Sequence, residues 1–206
     1  FYSKAAAKKD ILGIGDPGAA RWLAPTARYP IEDPEDKTVY PTIEHYLAGM
    51  RLKRASNRPE LAQSLVSREG SIHQAFLNER LALINPQTGK ISERDDESLL
   101  DSEIARLKLA MKVSSLSKTY GAVIDEARWA TIKDEVLEDA ITQRWTKDAR
   151  FRRIVEAARD RGKYLLYYTP GASVSNMGGH RVPQTGVIEG ENRVGKIIMS
   201  LAGYPT

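Results

Sequence analysis

Tyr40-Pro41-Thr42-Ile43-Glu44-His45-Tyr46-Leu47-Ala48-Gly49-Met50-Arg51-Leu52-Lys53 reads as a helix entered through a turn. Pro41 fixes φ on the approach, and Thr42 stands where an N-cap is wanted. Ile43, Leu47 and Met50 recur at i, i+4 and i+7, which predicts an apolar face packed inward. Glu44 and Arg51 share a neighbouring face two turns apart, with Ala48 between them. A helix-interior glycine costs roughly 1 kcal/mol relative to alanine, so Gly49 marks a place where something approaches the backbone closely, a small-molecule pocket being one such reason. The Glu44 and Arg51 pair has two readings. It lines a pocket, or it is an acid near a helix start and a base further along, both of which the helix dipole favours.

Upstream, 29–31 and 38–40 are short extended pieces joined by the acidic turn Glu32-Asp33-Pro34-Glu35-Asp36, which predicts a hairpin. Phe1-Tyr2-Ser3 is a candidate strand, and Gly13, Gly15 and Gly18 with Pro17 make a loop. Gly13 to Gly18 formally matches G-x-G-x-x-G, but no buried strand precedes it and Pro17 interrupts it, so it is no dinucleotide fingerprint.

Downstream the chain turns helical. Helices are expected at 60–66, 72–83 and 99–113, with a polar surface insertion at about 85–98 carrying Pro86 and Gly89. Trp129, Ile132, Val136, Leu137, Ala140 and Ile141 form the cleanest amphipathic stripe. A helix over 148–161 turns Phe151, Ile154, Val155 and Ala158 inward amid Arg144, Lys147, Arg150, Arg152, Arg153, Arg159, Arg161 and Lys163. That basic run is either a solvated face or a phosphate-contacting surface. Lys163 to Tyr168 reads as a buried strand, followed by a long glycine-containing loop over 169–191, a length that points to function. Val194, Ile197, Ile198 and Leu201 mark a last helix. Asn192 and Arg193 stand at its N-terminus, where free N–H groups favour an anion or Asn192 serves as a plain N-cap.

With 206 residues, 41% hydrophobic and 28% charged, the chain is long enough to bury a core and reads as one domain, 1–206. No apolar run is long enough for a membrane span, and the start at Phe1 reads as trimmed. The absence of cysteine removes disulfides, thiolate catalysis and cysteine metal sites, and suits an intracellular setting, cytoplasmic or nuclear. A net charge of +4 suits polyanions such as nucleotides or nucleic acid. His45, His73 and His180 lie far apart with no metal-ligand spacing, so no metal is expected, and His45 reads as a hydrogen-bonded structural or pocket residue.

Phe1-Tyr2, Tyr40-Pro41-Thr42-Ile43-Glu44-His45-Tyr46, Trp129 with Lys133, and Asn192-Arg193-Val194-Gly195 before Ile198-Met199 occur in the order seen in the NADAR family, which this chain resembles. The resemblance implies a compact, mostly helical α+β domain with N-glycosidase chemistry and no cofactor. It implies removal of ADP-ribose from guanine bases of nucleic acid, or hydrolysis of phosphorylated riboflavin-pathway intermediates. Glu44 matches the family's motif glutamate, with Lys53 and Lys133 as further catalytic candidates. The ligand-binding candidates are Tyr2, Lys4, His45, Arg51, Asn176, Gly178, Gly179, Asn192 and Arg193. The family often carries a lysine where this chain has Arg51, and some members work through a lysine Schiff base with the opened ribose. Arginine cannot serve as that nucleophile, so Lys53, Lys4 or Lys133 replaces it, or water attacks directly. The family's late acidic and tryptophan-glycine motif becomes Ser175-Asn176-Met177-Gly178-Gly179 here, which keeps a non-catalytic ADP-ribose-binding module in view.

Breaking an N-glycosidic bond builds positive charge on the ribose, while the departing base needs a proton. A partly buried carboxyl such as Glu44 serves either need according to its pKa. A lysine nucleophile needs its pKa lowered by desolvation or a cationic neighbour.

Overall fold

The computed structural model describes residue 10 and residues 12–66, 96–169 and 177–205, and for 96–102 the backbone only. The expected strand at 1–3, the helix at 72–83, most of the insertion at 85–98, and Tyr2, Lys4 and Asn176 lie outside the described residues. In chain order the described elements are α1 (Ala19–Trp22), β1 (Ile31–Glu32), β2 (Val39–Tyr40), α2 (Ile43–Ala55), α3 (Leu61–Ser64) and α4 (Asp96–Ala110). There follow α5 (Val113–Tyr120), α6 (Glu126–Lys147), α7 (Ala149–Asp160), β3 (His180–Arg181), β4 (Ile188–Glu189) and α8 (Arg193–Leu201). This is the mostly helical α+β class that the sequence predicts. The chain forms two compact units, one of residues 28–136 and one of residues 1–27 with 137–206.

In the 28–136 unit, the expected hairpin forms with Ile31 opposite Tyr40 and Glu32 opposite Val39. Its turn closes through the Asp33 N–H to the Thr38 carbonyl at 2.9 Å, and Asp33 Oδ1 accepts the Glu35 N–H at 2.9 Å. Thr42 caps α2 as predicted, its hydroxyl oxygen accepting the His45 N–H at 3.2 Å. Tertiary packing then buries α2 far beyond one face. Ile43, Tyr46, Met50, Leu52 and Ala55 are all buried, and α3, α4 and both strands lie against the helix. Leu47, expected on the inward face, is only half-buried.

Gly49 has a packing explanation rather than a ligand one. A Cβ there would overlap the ring of Tyr40, which is fully buried and meets Tyr46 edge-on with centroids 5.6 Å apart. Beyond α2, Ser56 bridges Ile124 in antiparallel fashion, and the Asp125 N–H donates to the Ala55 carbonyl at 2.7 Å. The end of α2 is thereby tied to the start of α6. Helix α5 ends on Gly121, whose φ of 62° is the left-handed conformation that terminates helices.

In the other unit, Asp148 separates α6 from α7 and caps the latter, its Oδ1 accepting the Phe151 N–H at 2.9 Å. Phe151, Ile154, Val155 and Ala158 are buried as the periodicity predicts. Arg144 is fully buried beside them. Its guanidinium donates to Asp148 Oδ2 at 3.2 Å, to the Ala24 carbonyl at 3.2 Å and to the Trp22 carbonyl. It also lies over the rings of Trp22 and Phe151. Trp22 Nε1 donates to the same Asp148 oxygen at 2.8 Å, so the buried cation, carboxylate and indole satisfy one another.

The strand expected at 163–168 does not form. Leu165 is buried, but Tyr164 and Tyr168 are exposed, and Tyr168 makes only an isolated parallel bridge to Gly179. The side chain of Asn192 takes two backbone groups that a ladder would have used, accepting the Tyr167 N–H at 2.9 Å and donating to the Leu165 carbonyl at 2.9 Å. The long loop expected at 169–191 contains the hairpin β3–β4, with His180 opposite Glu189.

Because nothing but the missing Cβ admits the Tyr40 ring, Gly49→Ala overpacks this contact and is expected to cost about 1–3 kcal/mol of stability. Urea denaturation measures it, and a wild-type midpoint would show that Tyr40 moves aside freely.

Candidate functional site

Burial leaves α2 one partly open line of side chains, Glu44, Leu47, Arg51 and Arg54, at spacings of three, four and three residues. Glu44 and Arg51 are therefore on a common line as the sequence predicts, but half-buried Leu47 lies between them and Ala48 is turned into the core. Of the five acidic and basic side chains of α2, four are engaged. Arg51 donates to Glu126 at the first residue of α6. Arg54 donates to Glu35 at 3.2 Å. His45 is buried, with Nδ1 2.9 Å from the Thr42 hydroxyl and Nε2 3.2 Å from Glu103. Glu103 also accepts from Arg28 at 3.2 Å. His45 is thus tied to structural partners through both ring nitrogens, and its backbone N–H is the one that Thr42 caps. Among the described residues, no side-chain hydrogen bond or ion pair engages the half-buried carboxylate of Glu44.

Lys53 is the fourth engaged group, and it corrects an expectation. Its ammonium lies 2.6 Å from Asp33, 2.9 Å from Glu35 and 3.1 Å from Asp36, three carboxylates of the β1–β2 turn. Burial alone would lower its pKa, but the three acids outweigh this and hold it above the ordinary lysine value. A Schiff-base lysine needs the opposite shift. Lys53 is a structural cation that pins the hairpin to α2, and Arg51, occupied by Glu126, is no activating neighbour for it. Lys133 is half-buried on α6, seven residues from Glu126 and so on the same side of that helix. It has no ion pair among the described residues.

The other sequence-predicted residues belong to the second unit, where α8 starts. Asn192 occupies the N-cap position with φ of 49°, yet its side chain makes no cap. It is buried and spent on the 164–167 segment, which overturns the plain N-cap reading. Part of the donor set expected to meet an anion is already spent, the Asn192 N–H donating to the Gly178 carbonyl at 3.0 Å and the Val194 N–H to the Met177 carbonyl at 3.0 Å. Arg193 lies 4.0 Å from Glu191, an acid that further disfavours an anion there. Gly178 and Gly179 are also close-packed rather than open to a ligand. A Cβ on the first would meet Thr169 and the Tyr167 carbonyl at 2.6 Å, and on the second the Glu189 carbonyl at 2.6 Å.

The basic run around α7 is mostly a solvated face, with Lys147, Arg150, Arg153, Arg161 and Lys163 exposed, but several of its arginines also act as ties. Arg144 is core, and Arg150 forms a two-pronged pair with Asp16, both bonds at 2.8 Å, while stacking on Trp22. Arg152 donates to the carbonyls of Trp145 and Thr146, and Arg159 to that of Ala202. Sequence reasoning missed Arg144, Glu103 and Glu126. Only the i,i+4 spacing of Arg144 and Asp148 carried a local signal.

This unit also holds a cavity of about 340 Å³ lined by Leu12, Leu23, Ile154 and Leu166, with Lys163 and Tyr164 as its polar groups. Among the described residues no carboxylate lines it. Among the described residues no group of three or more His, Asp or Glu side chains converges on a metal position. No protein-family model, no curated protein and no solved structure matches the chain.

Burial raises the Asp36 carboxyl, but hydrogen bonds from Thr38 and Lys53 outweigh it and hold the pKa at about 2. A pKa depressed on folding contributes stability above the unfolded value and loses it as pH falls through the folded one. Stability is therefore expected to drop as pH goes from about 4 to about 2, with Asp16 and Glu35, also depressed, adding in the same direction. Lys53→Met should lower stability near neutral pH and flatten that acid slope, since three carboxylates then repel until protonated. Denaturation midpoints across pH check this, and an unchanged slope in the variant would refute it.

Proposed function

We propose that the chain is an N-glycosidase that removes ADP-ribose from modified guanine bases in nucleic acid. The resemblance of its motifs to the NADAR family supports this reading. The observation that carries it is the state of Glu44. Of the acidic and basic side chains on α2, the motif glutamate is the one with no side-chain hydrogen bond or ion pair among the described residues, and it stands half-buried on the open line of the helix.

In the reaction, the bond between the ribose C1′ and the base nitrogen breaks, C1′ gains positive charge, and water adds there as the base leaves with a proton. An ionised Glu44 stabilises the developing cation and takes the proton of the attacking water. A protonated Glu44 donates to the leaving nitrogen instead. Of the lysines that a Schiff-base route would use, Lys53 is removed by its three acids and Lys133 is the described candidate left. The route through water needs no lysine. No cofactor enters either route, and among the described residues no helix is long and apolar enough to cross a membrane.

Incubation with ADP-ribosylated DNA should release free ADP-ribose. Glu44→Gln is expected to lower the rate by roughly 10² to 10⁴-fold, the usual contribution of general acid–base catalysis, while leaving the denaturation midpoint unchanged. Full turnover by the variant would remove Glu44 from the chemistry. Turnover of a phosphorylated riboflavin-pathway intermediate, with none of the DNA, would move the substrate to the family's other reaction. Borohydride added during turnover should label Lys133 if an imine forms, and the absence of an adduct assigns the attack to water.

A further inference from the structure

Resting on the reading of Glu44 above, we infer that Arg51 is the phosphate anchor of the same site, and that Glu126 occupies it until a ribose 5-phosphate group displaces it. The sequence put the phosphate at the start of α8, but there the N–H groups of Asn192 and Val194 are spent on carbonyls and Arg193 has Glu191 beside it. Arg51 offers what that helix end lacks.

Its side chain is largely buried, 21% exposed, and its Nε is buried with no hydrogen-bond partner among the described residues. A guanidinium presents five donors in a plane, and the contact with Glu126 uses only one edge of it. A buried donor left unsatisfied is costly, so a ligand oxygen that reaches Nε gains what the resting state forgoes. Glu126 is 54% exposed, so it returns to water at little cost when it is replaced.

The line of α2 sets the ligand's length and character. Glu44 and Arg51 are seven residues apart, about 10 Å along the axis at 1.5 Å per residue. A ribose 5-phosphate spans that interval once the carboxylate reaches toward C1′ at one end and the guanidinium toward the phosphate at the other. Leu47 lies between them, half-exposed, and suits the C–H face of a sugar. Arg54, the next group on the line, is held by Glu35. The site therefore selects N-ribosides that carry a 5′-phosphoryl or pyrophosphoryl group and discriminates against the unphosphorylated nucleoside.

The test is calorimetric titration of the full chain with ADP-ribose and with free ribose, which needs no turnover. Arg51→Ala is expected to weaken ADP-ribose binding roughly 10- to 150-fold, the 1.5–3 kcal/mol of a charge-assisted hydrogen bond, and to leave ribose binding as it is. Glu126→Gln is expected to tighten ADP-ribose binding several-fold by removing the competing charge, a change that a purely structural ion pair would not give. Arg51→Lys, which keeps the charge but not the planar fork, should recover part of the loss. Unchanged or weakened ADP-ribose affinity in Glu126→Gln, or wild-type affinity in Arg51→Ala, overturns the inference, as does the absence of ADP-ribose binding to the unaltered chain. Tight, Arg51-dependent binding without glycosidase turnover would sink the proposed reaction and leave the anchor standing. Turnover with Arg51-independent affinity would do the reverse.

Discussion

The 28–136 unit depends on the contact between the Tyr40 ring and the bare backbone of Gly49. Since no Cβ intervenes, the hairpin lies close against α2, and its turn brings Asp33, Glu35 and Asp36 within ion-pair distance of Lys53. Those ion pairs hold one side of α2 while the Thr42, His45 and Glu103 chain holds another. What stays open is the line from Glu44 to Arg54. A residue with no side chain thus determines which charged groups of the helix become structural and which remain available.

Charge pairing is the discriminating principle along that helix. Lys53 and Arg51 are two residues apart and chemically similar, yet the first is surrounded by three carboxylates and the second by one, which is itself half in water. An ammonium so surrounded is held in its protonated form and removed from nucleophilic chemistry. The Arg51 guanidinium, with one half-exposed partner, keeps its Nε donor unused among the described residues. Glu44 has no side-chain hydrogen bond or ion pair among the described residues and so stands outside this pairing.

The second unit uses charge in the opposite way. Arg144 is buried whole, and its fitness for the core comes from complete satisfaction by Asp148, two backbone carbonyls and two aromatic faces. Removing one partner of such a set costs far more than the set contributes in net stability. Among the neighbouring arginines, Arg150, Arg152 and Arg159 act as helix-end and loop ties, while Lys147, Arg153, Arg161 and Lys163 stay on the solvated face.

Local pattern sufficed for the features that are themselves local. The Thr42 cap, the hairpin around the acidic turn, the presence of α2, α6 and α7, and the inward set of Phe151, Ile154, Val155 and Ala158 were all legible, because capping and periodicity act within a few residues. The line joining Glu44 to Arg51 was legible for the same reason. Only tertiary structure decided what each charged or small residue meets. Gly49 faces Tyr40, Lys53 faces the hairpin acids, Asn192 faces the 164–167 backbone in place of a strand ladder, and Arg51 faces Glu126 across 75 residues of chain. Each of these partners is distant in sequence, and the free energy of an ionised or unsatisfied group is set by its partners, so no spacing rule within one helix can assign its role.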